Sequence, residues 1–279
     1  MFSILIPSWN NLESLRLCVQ SIRKNSMQPH QIIVHVNDGS DGTREWLMRE
    51  GLDATFSESN VGICYAVNEA AQLALHDHIA CLNDGMYCMP GWDAALLARI
   101  KTLPDERFML SGTTIEPVMN ANPCVVVADF GATVADFREA DLLRAAPTLV
   151  RGDWSGATWA PTVVHRKWWF NCGGYSTELS PGVGSGDDFS MKLWQAGCRH
   201  FIGVGDSLVY HVQRKSTGKV VGNDGRRQFL DKWRMTQATF DRFYLRRGEP
   251  LLDARLPEPA DSAALRRALW RDRLRRRFT

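Results

Sequence analysis

The stretch "IACLNDGMYCMPGWDAAL", from Ile79 to Leu96, passes from a β-forming run through Asn83, Asp84 and Gly85 into a helix-forming one. Carboxylate oxygens are the preferred ligands of Mg²⁺ and similar hard cations. Two or three of them would be expected after such a strand, and the chain offers Asp84 between an asparagine and a glycine. Other groups able to do chemistry stand at comparable places. Asp38 lies in "VNDGSDGT", the pair Asp187-Asp188 follows "PGVGSG", and His211 ends "SLVYH" just before Arg214, Lys215 and Lys219. An acid at the head of a helix can take a proton from a substrate hydroxyl. It can equally cap the helix, and the two roles are compatible. A histidine changes charge near neutral pH, and a basic trio can neutralise phosphate or simply be solvated.

The elements that must hold these groups follow from hydrophobic period. "FSILIPS" is a short β-rich run, and "NLESLRLCVQSIRKN" places Leu12, Leu15, Val19 and Ile22 at helical spacing. "QIIVHVND" reads as a second strand, "TREWLMREG" as a short helix stopped by glycine, "VGICYAVNEAAQLAL" as a helix and "HIACLND" as a strand. Strands alternating with helices predict a mostly parallel sheet covered on both faces. Ligands of such sheets bind at the carboxyl ends of the strands. The polar clusters Ser8-Trp9-Asn10, Asn37-Asp38-Gly39-Ser40 and Asn83-Asp84 all sit there. Further on, "DDFSMKLWQAGC" predicts a helix with acids in its first turn, "HFIGVGDSLVYH" a strand pair, and "RRQFLDKWRMTQATFDRFYLRRG" a helix.

Bulk properties narrow the class. The 279 residues are 44% hydrophobic and 23% charged, with a formal charge of +2, which fits a soluble globular protein with no global pull toward nucleic acid. Seven scattered cysteines without a C-x-x-C suggest free thiols in a reducing compartment. The apolar start is too short and too uncharged for a signal peptide, and no run of about 20 apolar residues could span a bilayer. A cytoplasmic protein is the expectation.

Taken in order, "SILIPSWNNLESLRLCVQSI", "IIVHVNDGSDGT", "NVGICYAVNEA", "LNDGMYCMPGW", "GGYS", "GDDFSMKLWQAG" and "VYH" resemble the family 2 glycosyltransferases of the GT-A fold, over residues 2–212. The resemblance implies an α/β fold with a mostly parallel Rossmann-like sheet flanked by helices. It divides the chain into a nucleotide-sugar-binding half (1–107), an acceptor-binding and catalytic half of the same domain (108–212), and a C-terminal helical extension with a basic tail (213–279). It also implies an inverting transfer of sugar from a nucleoside diphosphate donor, UDP favoured, to a glycan or lipid-linked acceptor, as in bacterial surface polysaccharide assembly.

Residue by residue, the resemblance assigns base binding to Asp38 and Gly39, with Pro7, Ser8, Trp9 and Asn10 lining the other side. Asn60, Gly62 and Asn83 border the nucleotide and donor sugar. A glycine at 62 would permit close backbone approach, and the start of a helix suits negative charge. Asp84 and His211 are assigned to the diphosphate and to Mn²⁺ or Mg²⁺. The family's most regular metal-binding aspartate falls on Gly85 in one register and on Asp84 in the other. The catalytic base is Asp187 or Asp188, although one count places it on Gly186. Sugar faces stack on indoles, so Trp154, Trp159, Trp168 and Trp169 are the acceptor candidates, set against the usual place of tryptophan in cores.

Outside the resemblance, "ALRRALWRDRLRRRFT" sets Leu265, Leu269, Trp270, Leu274 and Phe278 among seven arginines and one acid. As a helix it would be basic and amphipathic, suited to an anionic membrane surface on the inner face of the cell membrane. Two rival functions remain. Gly85 and Gly186 fit a degenerate relative that binds nucleotide or glycan without turnover. A nucleotidyltransferase would use a similar sheet, but no glycine-rich, lysine-bearing phosphate loop follows the first strand. A dinucleotide dehydrogenase fits less well, since no G-x-G-x-x-G follows that strand either.

Overall fold

A computed structural model describes residues 1–119, 122–158, 160–212 and 222–278. In chain order the first half contains β1 (Phe2–Trp9), α1 (Leu12–Asn25), β2 (Gln31–Asn37), α2 (Thr43–Glu50), β3 (Asp53–Ser57), α3 (Gly62–Ala71), β4 (His78–Cys81), β5 (Met86–Cys88) and α4 (Trp92–Lys101). Next come β6 (Phe108–Glu116), β7 (Val126–Val127), α5 (Glu139–Leu149), β8 (Trp154–Ser155), β9 (Thr162–His165), α6 (Arg166–Asn171), α7 (Ser185–Gln195) and β10 (His200–His211). The last segment holds α8 (Gly225–Trp233), α9 (Gln237–Phe240), a π-turn at Asp241–Leu245 and α10 (Ala263–Phe278).

The strands form one sheet in the order β3-β2-β1-β4-β9-β6-β10-β5, with β7 on β6 and β8 on β10. The four strands from β3 to β4 are parallel, as the alternating pattern predicts, and so are β6 and β10. β9 runs antiparallel between β4 and β6, and β5 antiparallel to β10. Side chains alternate between the faces. Leu5, Ile33 and Ile79 join one buried cluster with α3 and α7, while Ile4, Ile6, Ile32 and Val34 join another with α1 and α4. α1 buries Leu15, Cys18, Val19 and Ile22, a single stripe at helical spacing.

Four local features depart from the sequence expectation. β3 is an edge strand with no clear alternation, because it is only partly buried. The helix begun at Gly62 ends at Ala71 instead of Leu75, since Ser3 Oγ and Gln31 Oε1 take the amides of Leu75 and His76 and turn the chain into β4. The expected pair at 200–211 is one strand, irregular between Val204 and Leu208 where its register on β6 slips. The long helix expected from 226 to 248 breaks at Arg234, which is left-handed, and restarts at Thr236, whose hydroxyl accepts from the Thr239 amide.

The segment beyond residue 222 is built into the body. Phe229, Phe240, Leu245 and Leu256 lie in the same buried cluster as Phe189, Trp194 and Phe201. The chain at 248–251 runs along 153–155, with Gly248 N donating to Ser155 O, Ser155 N to Glu249 O and Leu251 N to Asp153 O, each at 2.9 Å.

Candidate active site

The carboxyl ends of β1, β2 and β4 lie side by side, so the first polar clusters meet. Asn10 and Asp38 both adopt left-handed backbone, at φ 46° and 67°. Such conformations persist where surrounding bonds over-determine them, and they concentrate at ligand sites. Here the bonds are those of the Asn10 amide. Its Nδ2 donates to Asp38 Oδ2 (2.9 Å) and Ser40 Oγ (3.1 Å), and its Oδ1 accepts from Gly39 N (3.1 Å). The Asn10 hydrogen bond, foremost, holds the Asp38 carboxyl below its usual range. An ionised Asp38 at this rim can accept from a ring N–H. It lines an open concavity with Gly39, Ser40, Arg44 and Glu58, the last two absent from the sequence expectation. Pro7 and Trp9 are half-buried, and Ser8 is buried.

Asn60 and Gly62 shape the start of α3. Asn60 Oδ1 accepts from Gly62 N (2.9 Å), and the neighbouring Val61 N donates to Asn37 Oδ1 (2.9 Å). Gly62 has φ +80°, and a β-carbon there would stand 2.5 Å from the Pro181 Cα. The close approach inferred at this glycine is therefore made by the chain's own Ser180-Pro181. Pro181 O also accepts from Ile63 N (2.7 Å), which uses one amide of the helix start. That contact clamps the loop at 180–184 against α3, while Asn223 Oδ1 takes Val183 N (3.1 Å) on its other side. The glycine-rich run before the acid pair is consequently braced.

At the end of β4, Ser8 Oγ donates to Asp84 Oδ2 (2.8 Å), tying β1 to the turn after that strand. The carbonyl of Asn83 accepts from Met86 N (3.1 Å) and closes that turn. Gly85 faces the end of β10: its carbonyl accepts from Val212 N (2.9 Å), and a β-carbon built on it would lie 2.8 Å from Val212 O and 3.7 Å from His211 Nε2. His211 Nδ1 stands 3.1 Å from Oε1 of Glu116, a buried carboxylate at the end of β6. A carboxylate on one ring nitrogen fixes the tautomer that bares the other. Glu116 closes an apolar strand as Asp38 and Asp84 do, and that position was the available signal for it. Among the described residues no three His, Cys, Asp or Glu side chains gather to hold a metal ion. Asp84 and His211 are the two residues here whose side chains would serve as donors to a cation that takes its other ligands from diphosphate and water. Arg214, Lys215, Lys219 and Trp159 lie outside the described residues.

The acid pair heads α7, and its two members face different surroundings. Asp188 is fully buried. Its oxygens receive Ser176 Oγ (2.5 Å) and Trp233 Nε1 (2.8 Å), and Lys232 and Lys192 lie 2.9 and 3.6 Å away. It is a structural anchor, neutralised from within. The Asp187 side chain keeps 19% exposure. Gln237 Nε2 donates to its Oδ2 (2.7 Å), and Arg247 Nη1 is 3.6 Å from its Oδ1. Burial first, and then the Asp241 charge, push its carboxyl up to about 6. A base poised near the working pH is efficient at proton transfer. Gly186 has its missing β-carbon 2.9 Å from Thr158 O, so an acid there would press on that strand connection.

The tryptophans fall mostly in the core. Trp154 and Trp169 are each 2% exposed. Trp154 packs on Gly203 and donates from Nε1 to Thr113 Oγ1, and Trp169 stacks among Tyr175 and Phe189. Neither presents a face to an acceptor. Trp168 is half-buried against the same core.

Residues 3–117 match the family model described as "Glycosyl transferase family 2". The family segment ends one residue past Glu116, so it holds the Asp38 and Asp84 clusters, whereas Asp187 and His211 lie outside it. Solved glycosyltransferases share the GT-A fold of the whole chain. S. aureus TarS 1-349 superposes with TM-score 0.57 at 14% identity, over 99% of this chain and 71% of that one. The same TarS fragment in complex with UDP-GlcNAc gives 0.57 at 15% identity, over 84% and 64%. GalNAc-T7, solved with UDP, GalNAc and Mn²⁺, gives 0.56 at 17% identity and covers 81% of this chain. The chain spans 44% of the length of GalNAc-T7. No curated protein matches it in sequence.

Proposed function

We propose that this protein transfers a sugar from a nucleoside diphosphate donor, a UDP-sugar by preference, to a glycan or lipid-linked acceptor, with inversion at the anomeric carbon. Bacterial surface polysaccharide assembly is the setting this chemistry suits. The observation that carries the proposal is the contrast within the acid pair: Asp188 is sealed and ion-paired, while Asp187 keeps an open face and a raised proton affinity. Asp38, held by Asn10, takes the ring N–H of the base. The diphosphate sits toward Asp84 and His211, with Glu116 orienting the imidazole. A divalent cation, as bound by GalNAc-T7, would be held by Asp84 and His211 and would neutralise charge on the leaving diphosphate. Asp187 removes the acceptor proton as the acceptor oxygen bonds to the anomeric carbon and the bond to the diphosphate breaks.

Supporting the family-level reading, TarS and GalNAc-T7 are seen with UDP-GlcNAc or UDP. The test is calorimetric titration with UDP, GDP, TDP and CDP, each with and without Mn²⁺. Selective UDP binding that Asp38→Ala weakens is expected. Binding of none of the four would end the donor-site assignment. The degenerate alternative keeps one specific observation, the glycine at 85. Gly85→Asp does not test it cleanly, because the new β-carbon meets the Val212 carbonyl.

The C-terminal helix supports a membrane-surface location for this activity. No helix among the described residues is long and apolar enough to cross a membrane. α10 docks through Leu265 and Asp272, both buried. Asp272 takes Thr236 N (2.9 Å) and Thr239 Oγ1 (2.6 Å). The opposite face carries Trp270, 60% exposed, among exposed Arg266, Arg267, Arg271, Arg273 and Arg277. An apolar wedge ringed by arginines suits anionic lipid headgroups.

A further inference from the structure

Three side chains reach Asp187 from beyond residue 222, outside both the family match and the sequence resemblance. Gln237 heads α9, Asp241 opens the π-turn, and Arg247 follows it. Arg247 Nη1 is 2.7 Å from Asp241 Oδ2 but 3.6 Å from Asp187 Oδ1, so one guanidinium serves two carboxylates unequally. Asp241 Oδ1 and Arg247 Nε are buried without a hydrogen-bond partner among the described residues. Among the described residues no other cationic side chain pairs with Asp187 or Asp241. Asp188, next in the chain, is matched separately by Lys192 and Lys232.

The backbone that carries Arg247 is held on both flanks. Gly156 is left-handed at φ +88°, and a β-carbon on it would stand 2.6 Å from Arg247 Cα. Gly248 N donates to Ser155 O on the other flank. The Arg247 side chain thus starts from backbone held against Ser155 and Gly156.

We infer that Asp241 and Arg247 are positioning residues that tune the proton affinity of Asp187, Asp241 holding the shared guanidinium so that Asp187 stays under-compensated and ready to accept a proton. Gln237 meanwhile pins Oδ2 at 2.7 Å, so Oδ1, which Arg247 approaches only to 3.6 Å, is the oxygen that takes the acceptor's proton. The inference rests on Asp187 being the base. It agrees with the direction at both acids: burial raises Asp241 as well, and at Asp187 the Asp241 charge adds to burial while Arg247 opposes it.

The test is a carboxyl-carbon NMR titration of the full chain labelled at aspartate, with the Asp187 signal assigned by its loss in Asp187→Asn. Asp241→Asn frees the guanidinium and removes a like charge, so the Asp187 midpoint should fall by about one pH unit. Arg247→Gln should raise it. A midpoint that stays put in folded Asp241→Asn, or rises, overturns the inference. Asp241→Asn is isosteric and carries the test alone if Arg247→Gln does not fold. The base assignment is judged separately, by UDP release from UDP-GlcNAc in Asp187→Asn. Full release there overturns the base assignment and the inference resting on it, whatever the midpoint does; lost release with an unmoved midpoint overturns the positioning role alone.

Discussion

Replacing Asp187 by asparagine should damage catalysis and strengthen the fold at once. The carboxyl is raised from the usual 3.8 to about 6, chiefly by burial, so the folded chain prefers it protonated. The sign follows from linkage. Its contribution to stability is fully present below the unfolded value near 4 and is lost as pH rises through 6. Two pH units correspond to about 3 kcal/mol, which is the ceiling on what the ionised carboxylate costs the fold at pH 8. Asparagine is isosteric and stays neutral. Urea denaturation at pH 3.5 and pH 8 should therefore show the variant close to wild type at pH 3.5 and about 1–3 kcal/mol more stable at pH 8, with much of the gap already open by pH 5. Transfer activity should meanwhile fall by about 10²–10⁴, the usual worth of a general base. Parallel stability profiles for the two proteins, or a variant weaker at pH 8, would refute the argument, because a carboxylate at ease in its site would cost the fold nothing.

Other outcomes follow from single contacts. Asp38→Ala should weaken UDP binding by about 10-fold or more in calorimetry, the loss of a charge-assisted hydrogen bond, and should also cost some stability, since it removes the Asn10 contact at a left-handed residue. Gly62→Ala must place a β-carbon against Pro181 at positive φ, and should lower stability by more than about 1 kcal/mol in urea melts. Asp272→Ala leaves the Thr236 amide and Thr239 hydroxyl without their acceptor and should cost about 1–3 kcal/mol, with α10 becoming protease-sensitive. Cosedimentation with vesicles of phosphatidylglycerol, but not of phosphatidylcholine, is expected for the wild type. Trp270→Ala combined with Arg271→Glu should abolish it without altering the melt; equal binding to both vesicle types would remove the membrane-surface proposal.

Much of the fold was legible because period and strand ends are local properties. The apolar runs at 2–6 and 31–36, the stripe of α1 and the polar residues closing β1, β2 and β4 announce a doubly covered sheet with its ligand edge. β3 was not legible, since an edge strand buries too little to show a pattern. The break at Arg234 was not legible either. It depends on α10, some 40 residues away in sequence, delivering Asp272 to the amide of Thr236.

The candidate site divides in the same way. Asp38, Asp84, His211 and the acid pair could be named from residue type and position alone. The two acids are one residue apart, about 100° around a helix, and what packs on each differs: Trp233, Lys192 and Lys232 close over Asp188, whereas Gln237 and Arg247 reach Asp187 and leave its side chain 19% exposed. Tryptophan composition could not separate a stacking platform from a core side chain, and Trp154 and Trp169 are core. The sequence by itself therefore determined the sheet, its ligand edge and the chemical inventory there, since those depend on neighbours within a few residues. Only the tertiary structure decided how each carboxylate of the pair is surrounded, because those surroundings come from chain segments far apart in sequence.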